Sequence, residues 1–133
     1  MVCAEEAQGD IATLLGVTPV RVEPPTWSDH VYSCRYTYTD GAFVLSVKEL
    51  SSEAETTAYY DGLGARLGRV TDVDGFGQGA FITANGSVVV RKDAKVLLVD
   101  DSALPPAFGR PPVRPADTSM LVAKAILGCW TGA

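Results

Sequence analysis

The chain contains a single histidine, His30, which follows Ser28 and Asp29 directly. Serine, histidine and aspartate can form the proton-transfer device of a hydrolase, but that device is assembled from separated elements and recognised by geometry. Neighbours at a strand entry point in different directions, and the sequence contains no G-x-S-x-G turn to expose a nucleophile. His30 is therefore interpreted as a surface loop histidine, and the sequence predicts no enzyme.

Two aspartates and three glycines between residues 72 and 79 imitate fragments of known ligand sites. Asp72-Val73-Asp74-Gly75 matches the first part of a calcium loop, but no glutamate closes that loop at the required distance. The glycines at positions 75, 77 and 79 form G-x-G-x-G, whereas a dinucleotide-binding turn needs G-x-G-x-x-G followed by a helix. A strand is predicted after them, so the segment is interpreted as a solvated tight turn or β-bulge. No metal or cofactor is predicted.

The three cysteines, Cys3, Cys34 and Cys129, are far apart and form no C-x-x-C pair. Metal clusters and thioredoxin-type chemistry are therefore disfavoured. Cys129 lies on an apolar helical stripe with no cation nearby to lower its pKa, which is typical of an inert buried thiol. In an exported protein two of the three would pair, whereas in a cytosolic protein all three would be thiols.

Two tryptophans offer the best candidate for an interaction surface. Trp27 and Trp130 each lie near a predicted chain reversal, and a shallow groove forms if both border the proline-rich segment Asp100–Pro115. With His30 and Arg110 they make up the predicted surface. The alternative is that the two indole rings plug the ends of the core.

The elements that must position these residues begin with a hairpin from Val31 to Glu49. Period-two alternation of apolar and polar residues predicts two strands, and Thr39-Asp40-Gly41 supplies the reversal. Cys34 would lie on the inner face with the tyrosines at 32, 36 and 38. Those tyrosines are interpreted as core, with a pocket for an aromatic or lipid ligand as the alternative.

The remaining pattern predicts three helices and further strands. Helices are predicted over 4–15, over 52–67 with a capping box at Ser52, and over about 118–129 with Asp117 as its cap. Short strands are predicted over 19–23, 69–73, 80–83, 87–91 and 95–99. Asn85-Gly86 is the strongest hairpin signal, and Asp100-Asp101 is interpreted as a solvated exit from the last strand. The fold class is α+β: a single domain, residues 1–133, with an antiparallel twisted sheet of about six strands and three helices packed on it.

Charge and length limit the partners of such a domain. The 133 residues carry 11 Lys and Arg against 16 Asp and Glu, giving a net charge of −5. A negatively charged surface disfavours binding to nucleic acid and to anionic membranes, and the basic residues form no stripe that could bind phosphates. No run approaches the length of a membrane span. The expected partner is an unknown protein or a small apolar or aromatic ligand.

Four short motifs resemble those of a known group of proteins. They are Cys3 before a helix that ends in Leu-Gly, the strand Tyr32-Ser33-Cys34-Arg35-Tyr36, the turn Gly75-Phe76-Gly77-Gln78-Gly79-Ala80, and the closing Gly128-Cys129-Trp130-Thr131-Gly132. Together they resemble small exported proteins and lipoproteins of actinobacteria, a group that looks PsbP-like in fold and whose members are mostly of unassigned function. No catalytic signature belongs to these motifs.

The resemblance implies an extracytoplasmic setting, a disulfide from Cys3 to Cys34, and a lipid anchor as an option in the native precursor. Met1-Val2-Cys3 opens almost directly on a predicted helix, as a chain cut just after a removed leader would. A bond from Cys34 to Cys129 is the rival pairing. The favoured pairing ties a helix end to the inner face of the hairpin.

These observations lead to one functional hypothesis and two alternatives. The hypothesis is a non-enzymatic, extracytoplasmic binding or protein-interaction module. One alternative is a small hydrolase or transferase that uses His30, Asp72, Asp74 or Asp100. The other is a structural subunit of an envelope assembly, which would expose an apolar patch of several hundred Å².

Overall fold

The computed structural model describes residues 5–130, with side chains described as far as Gly128. Within that range the chain forms three helices and eight strands. The helices are α1 (Glu5–Leu15), α2 (Glu53–Leu67) and α3 (Pro115–Trp130). The strands are β1 (Arg21–Val22), β2 (Thr26–Ser28), β3 (Val31–Tyr38), β4 (Gly41–Glu49), β5 (Arg69–Asp72), β6 (Gly79–Thr83), β7 (Val88–Lys92) and β8 (Lys95–Ala103).

One antiparallel sheet joins all eight strands, in the order β1-β3-β4-β8-β7-β6-β5, with β2 also paired to β3. The predicted hairpin forms its longest pair, from Val31 opposite Lys48 to Tyr38 opposite Gly41. The α+β class is therefore confirmed, with eight strands where about six were predicted. The segment around Trp27, predicted as a loop, is strand β2, which pairs with the start of β3.

The sheet is covered on both faces because its central strands are apolar at consecutive positions. Val88 and Val90 pack in the larger core with residues of α1 and α3, whereas Val89 packs in the smaller core with Tyr60 and Leu63 of α2. Since successive side chains of a strand point to opposite faces, α1 and α3 lie on one face and α2 on the other.

The first turns of α2 and α3 differ in how well the sequence predicts them. Ser52 caps α2 as predicted, because its Oγ accepts the Glu55 amide at 3.1 Å. The predicted cap of α3, Asp117, lies inside that helix, which begins at Pro115. Proline suits the first helical position because its fixed φ matches the helix and its missing N–H is not needed there.

We call residues 104–114 the arm, because this irregular segment leaves β8 and bends back over the end of α1. Phe108 and Val113 exchange two backbone hydrogen bonds, of 2.9 and 2.8 Å, which close the bend. The Arg110 amide donates to the Leu15 carbonyl at 2.8 Å and so fixes the arm on α1. Among the described helices, none is long and apolar enough to cross a membrane.

Candidate binding groove

A groove of about 640 Å³ opens where the arm meets the C-terminal end of α1 and the turn between β3 and β4. Its lining residues are Ala12, Thr13, Gly16, Val17, Thr18, Tyr38, Thr39, Asp40, Phe108, Gly109 and Arg110. Ligand sites of proteins fall in this range of volume. Three separate elements thus converge on one concave surface.

Gly16 makes the close approach of the arm feasible. This residue ends α1 with a φ of +71°, and a Cβ at its position would lie 2.1 Å from the Arg110 carbonyl oxygen. Any other residue would push the arm away from α1. The glycine predicted to stop α1 therefore also sets the shape of the groove.

Tyr38 is the buried polar residue of the groove lining. Its ring meets Phe108 of the arm edge-on, with centroids 4.8 Å apart, and stacks on Phe43 at 5.7 Å. The residue is 6% exposed, and among the described residues its hydroxyl finds no hydrogen-bond partner. Burial, and secondarily the neighbouring Tyr36, raises the pKa of Tyr38, so that the phenol stays protonated and available as a donor.

Two charged side chains of opposite sign complete the groove. Arg110 and Asp40 are both exposed. Within the described part of the chain, ion pairs join Arg69 to Asp61 and Asp72, Arg91 to Glu53, and Arg114 to Asp117. Arg110 and Asp40 take part in none of these pairs. Together with the lining threonines, they give the groove a predominantly hydrogen-bonding chemistry.

The predicted interaction surface falls into separate places. Trp27, 55% exposed, meets the His30 ring edge-on at a centroid distance of 5.8 Å, and both lie beside the start of β3. Arg110 lies in the groove beside Tyr38, at the other end of that strand. The seven residue steps of β3 correspond to roughly 23 Å. The structure therefore brings Trp27 and His30 together and leaves Arg110 apart, while the side chain of Trp130 lies outside the described residues.

The four residues of the catalytic alternative are also dispersed. His30 lies beside β3, whereas Asp72 lies on β5 and accepts from Arg69 Nε at 2.6 Å. Four strands separate β3 from β5, a span of roughly 24 Å at ordinary strand spacing. Asp74 follows β5, and Asp100 on β8 accepts the Ser102 amide at 2.9 Å. The described residues contain no group of three or more His, Cys, Asp or Glu able to hold a metal ion.

A buried acid that the sequence analysis misassigned lies at the other end of the arm. Asp101 is 2% exposed, so the interpretation of Asp100-Asp101 as a solvated exit is wrong for this residue. Desolvation, with a smaller effect from Asp100, raises the pKa of Asp101 to about 7, against an opposing hydrogen bond from Ser119. Alternation along β8 could have identified it, because Leu97, Val99 and Asp101 share one face.

Cys34 lies on the inner face of β3, 4% exposed, as the alternation predicts. Cys3 and the side chain of Cys129 lie outside the described residues, so the choice between these two partners stays a prediction.

In comparisons with protein-family models, curated proteins and solved structures, nothing matches this chain. The function therefore has to be argued from the groove and from the chemistry of its lining.

Proposed function

We propose that the protein is a non-enzymatic, extracytoplasmic binding module whose ligand occupies the groove between α1, the β3–β4 turn and the arm. The observation that carries this proposal is the buried Tyr38 hydroxyl in the groove lining, a donor that finds no partner among residues 5–128. An unsatisfied buried hydroxyl costs about 1 to 3 kcal/mol, so native proteins rarely retain one without a reason. An acceptor atom on a ligand would satisfy it.

The lining favours a polar ligand over the small apolar or aromatic one expected from the sequence. The rings of Tyr38 and Phe108 pack on one another and on the core, so neither offers a free aromatic face. Arg110 and Asp40 offer instead a charged donor and a charged acceptor, and the threonines offer hydroxyls. A small polar molecule or a polar segment of a partner protein fits this set.

Access to Tyr38 depends on the arm. Its hydroxyl is covered, and Phe108 packs against its ring. A ligand reaches the hydroxyl when the arm shifts, and the arm is an irregular segment held on α1 through the Arg110 amide. The proposed binding step therefore includes a small displacement of the arm.

The dispersal of His30, Asp72, Asp74 and Asp100 supports a binding function over catalysis, because acid–base chemistry needs its groups within hydrogen-bond reach of one substrate. The extracytoplasmic setting is supported by the resemblance to exported actinobacterial proteins. The disulfide proposed for Cys34 would agree with an oxidising compartment.

The proposal is tested by screening a library of small polar molecules, namely amino acids, sugars and short-chain carboxylic acids, with backbone amide chemical shifts as the readout. We expect hits to shift the amides of Thr13, Thr39 and Arg110. Tyr38→Phe should weaken them roughly five- to tenfold, because one hydrogen bond contributes on the order of 1 kcal/mol.

Trp27→Ala is the matched control, since it removes an exposed ring at the far end of β3 and should leave affinity unchanged. Tyr38→Phe itself should fold with equal or higher stability, because it removes a buried hydroxyl that has no partner in the described part of the chain. Hits that cluster around Trp27 and His30, or an affinity indifferent to Tyr38→Phe, would contradict the groove as the site.

A further inference from the structure

Asp101 and Ser119 flank the arm on its two sides. Asp101 is near the end of β8, Ser119 is the fifth residue of α3, and both are buried. The Ser119 hydroxyl contacts Asp101 Oδ2 and also the Gly86 carbonyl oxygen, the latter at 2.7 Å. A three-part contact thus joins the two ends of the arm to the Asn85-Gly86 turn.

The number of protons in this contact limits how its three groups can be hydrogen-bonded at one time. A serine hydroxyl carries one proton, and a carbonyl oxygen can only accept. Ser119 therefore donates to Gly86, and its second contact is a hydrogen bond only if Asp101 is protonated and donates to Ser119 Oγ. An ionised Asp101 competes with the Gly86 carbonyl for the single serine proton, and its Oδ1 has no partner among the described residues.

Both ends of the arm are tied to this contact. The Leu104 amide, the first of the arm, donates to the Asp101 carbonyl at 2.9 Å. On the other side, Pro115 and Ala116 pack so closely on Gly86 that a Cβ there would lie 2.7 Å from the Ala116 nitrogen. A change at Asp101 therefore acts where the arm begins and where it ends.

We propose that Asp101, Ser119 and the Gly86 carbonyl form a proton-dependent latch at the base of the arm. The latch is closed when Asp101 is protonated. Ionisation of Asp101 opens it, loosens the arm and uncovers the Tyr38 hydroxyl in the groove. The last step rests on the proposed function, whereas the latch itself does not.

The surroundings place the opening of the latch near neutral pH. On β8 the charged neighbour is Asp100, whose carboxylate disfavours ionisation of Asp101. At the start of α3, Arg114 and Asp117 pair with one another at 3.4 Å. Ser87, which accepts the Asp101 amide at 2.9 Å, and the Asn85-Gly86 turn bring no charge. Desolvation is the largest effect and raises the pKa of Asp101 to about 7, although the contact with Ser119 acts in the opposite direction.

Hydrogen exchange of the arm amides tests the latch without any ligand. The amides of Phe108, Arg110 and Val113 are hydrogen-bonded and report on the arm. Between pH 5.5 and 8.5, after correction for intrinsic exchange, their protection in the wild type should fall at least tenfold. In Asp101→Asn the protection of these three amides should change by no more than about twofold over the same pH range. The side-chain amide of the asparagine donates to Ser119 at every pH. Asp100→Asn, a change on the same strand, should keep the wild-type fall.

A direct titration keeps the proposal testable if a variant does not fold. The side-chain carboxyl ¹³C shift of Asp101 in the wild type should titrate with a midpoint near 7. A midpoint below 5, a pH-independent arm, or an Asp101→Asn arm that loosens like the wild type would each overturn the latch. Since no ligand is involved, these outcomes are separate from failure of the groove to bind polar molecules.

Discussion

Two buried oxygen atoms, Tyr38 Oη and Asp101 Oδ1, lack a hydrogen-bond partner among the described residues. They lie beside opposite parts of the arm, Tyr38 against Phe108 and Asp101 at the exit from β8. Burial raises the pKa of both side chains. Tyr60 Oη, Arg91 Nε and Thr118 Oγ1 also lack a partner among these residues, so it is their position beside the arm that links Tyr38 and Asp101 to the segment that we propose to move.

The raised pKa of Asp101 makes stability depend on pH in a defined direction. An acid whose folded pKa of about 7 exceeds its ordinary value of 3.8 binds its proton more tightly in the folded state. Its stabilising contribution is complete below about pH 4 and is lost as the pH rises through 7. The difference of about three pKa units corresponds to at most about 4 kcal/mol.

We therefore expect the free energy of unfolding of the wild type to fall between pH 4 and pH 8. Asp101→Asn, which cannot ionise, should give a nearly flat curve over the same interval. Urea denaturation at a series of pH values measures both. Parallel curves for the two proteins would show that Asp101 titrates alike in the folded and unfolded chains.

At the scale of elements, the sequence predicts those parts of the fold that have strong local signals. Asn85-Gly86 joins β6 to β7, Asp93-Ala94 joins β7 to β8, and Ser52 caps α2, all as the local pattern indicates. The prediction of strands fails where tertiary contacts determine whether a strand forms and where it ends. Strand β8 runs on to Ala103 because it pairs with β4 as far as Ala42, and β2 forms because β3 offers it an edge.

The same reasoning explains how much of the candidate site could be predicted. The sequence predicts Arg110 as part of an interaction surface because it lies in a proline-rich segment, and the structure places it in the groove. The alternation along β3 places the ring of Tyr38 in the core, which is correct. It does not show whether the hydroxyl of that ring finds a hydrogen-bond partner. The register of β8, which buries Asp101, depends on pairing with β4 and extends beyond the predicted strand end.

Two glycine substitutions test whether the contact between the arm and α1 requires a glycine at position 16. Gly16→Ala forces a Cβ to within 2.1 Å of the Arg110 carbonyl oxygen at a positive φ, so it should destabilise the protein by about 2 kcal/mol or more and displace the arm. Gly62→Ala is the matched control, because its Cβ would meet nothing within 4 Å on an exposed face of α2. It should stabilise the protein by up to about 1 kcal/mol.

Thermal unfolding measures both effects, and the Arg110 amide chemical shift reports whether the arm has moved. Gly16→Ala with wild-type stability and an unchanged Arg110 amide would mean that the arm does not rest on α1 as described. An equal loss in Gly62→Ala would mean that the loss in Gly16→Ala does not arise from the contact with the arm.

At the scale of the whole molecule, the sheet separates the reactive side chains. Its order places β3 and β5 far apart, with the large core on one face and α2 on the other. His30 and Asp72 consequently face solvent at distant positions, while the arm and α1 form a concave surface near the Tyr38 end of β3. A scaffold of this kind positions one groove through loops and helix ends, which is where binding residues are usually carried.

The predicted disulfide decides which parts of the scaffold are tied together, and it can be tested on the intact protein. A Cys3–Cys34 bond would join the start of the chain to the inner face of the hairpin and close a loop of about 30 residues. Such a cross-link lowers the entropy of the unfolded chain and should contribute about 3 to 4 kcal/mol to the free energy of unfolding.

Peptide mapping by mass spectrometry under non-reducing conditions should find Cys3 linked to Cys34. Cys3→Ser should lose most of that stability under oxidising conditions, whereas Cys129→Ser should lose little. A Cys34–Cys129 peptide, or a larger loss in Cys129→Ser than in Cys3→Ser, would transfer the cross-link to α3 and with it the anchoring of the helix that holds the latch.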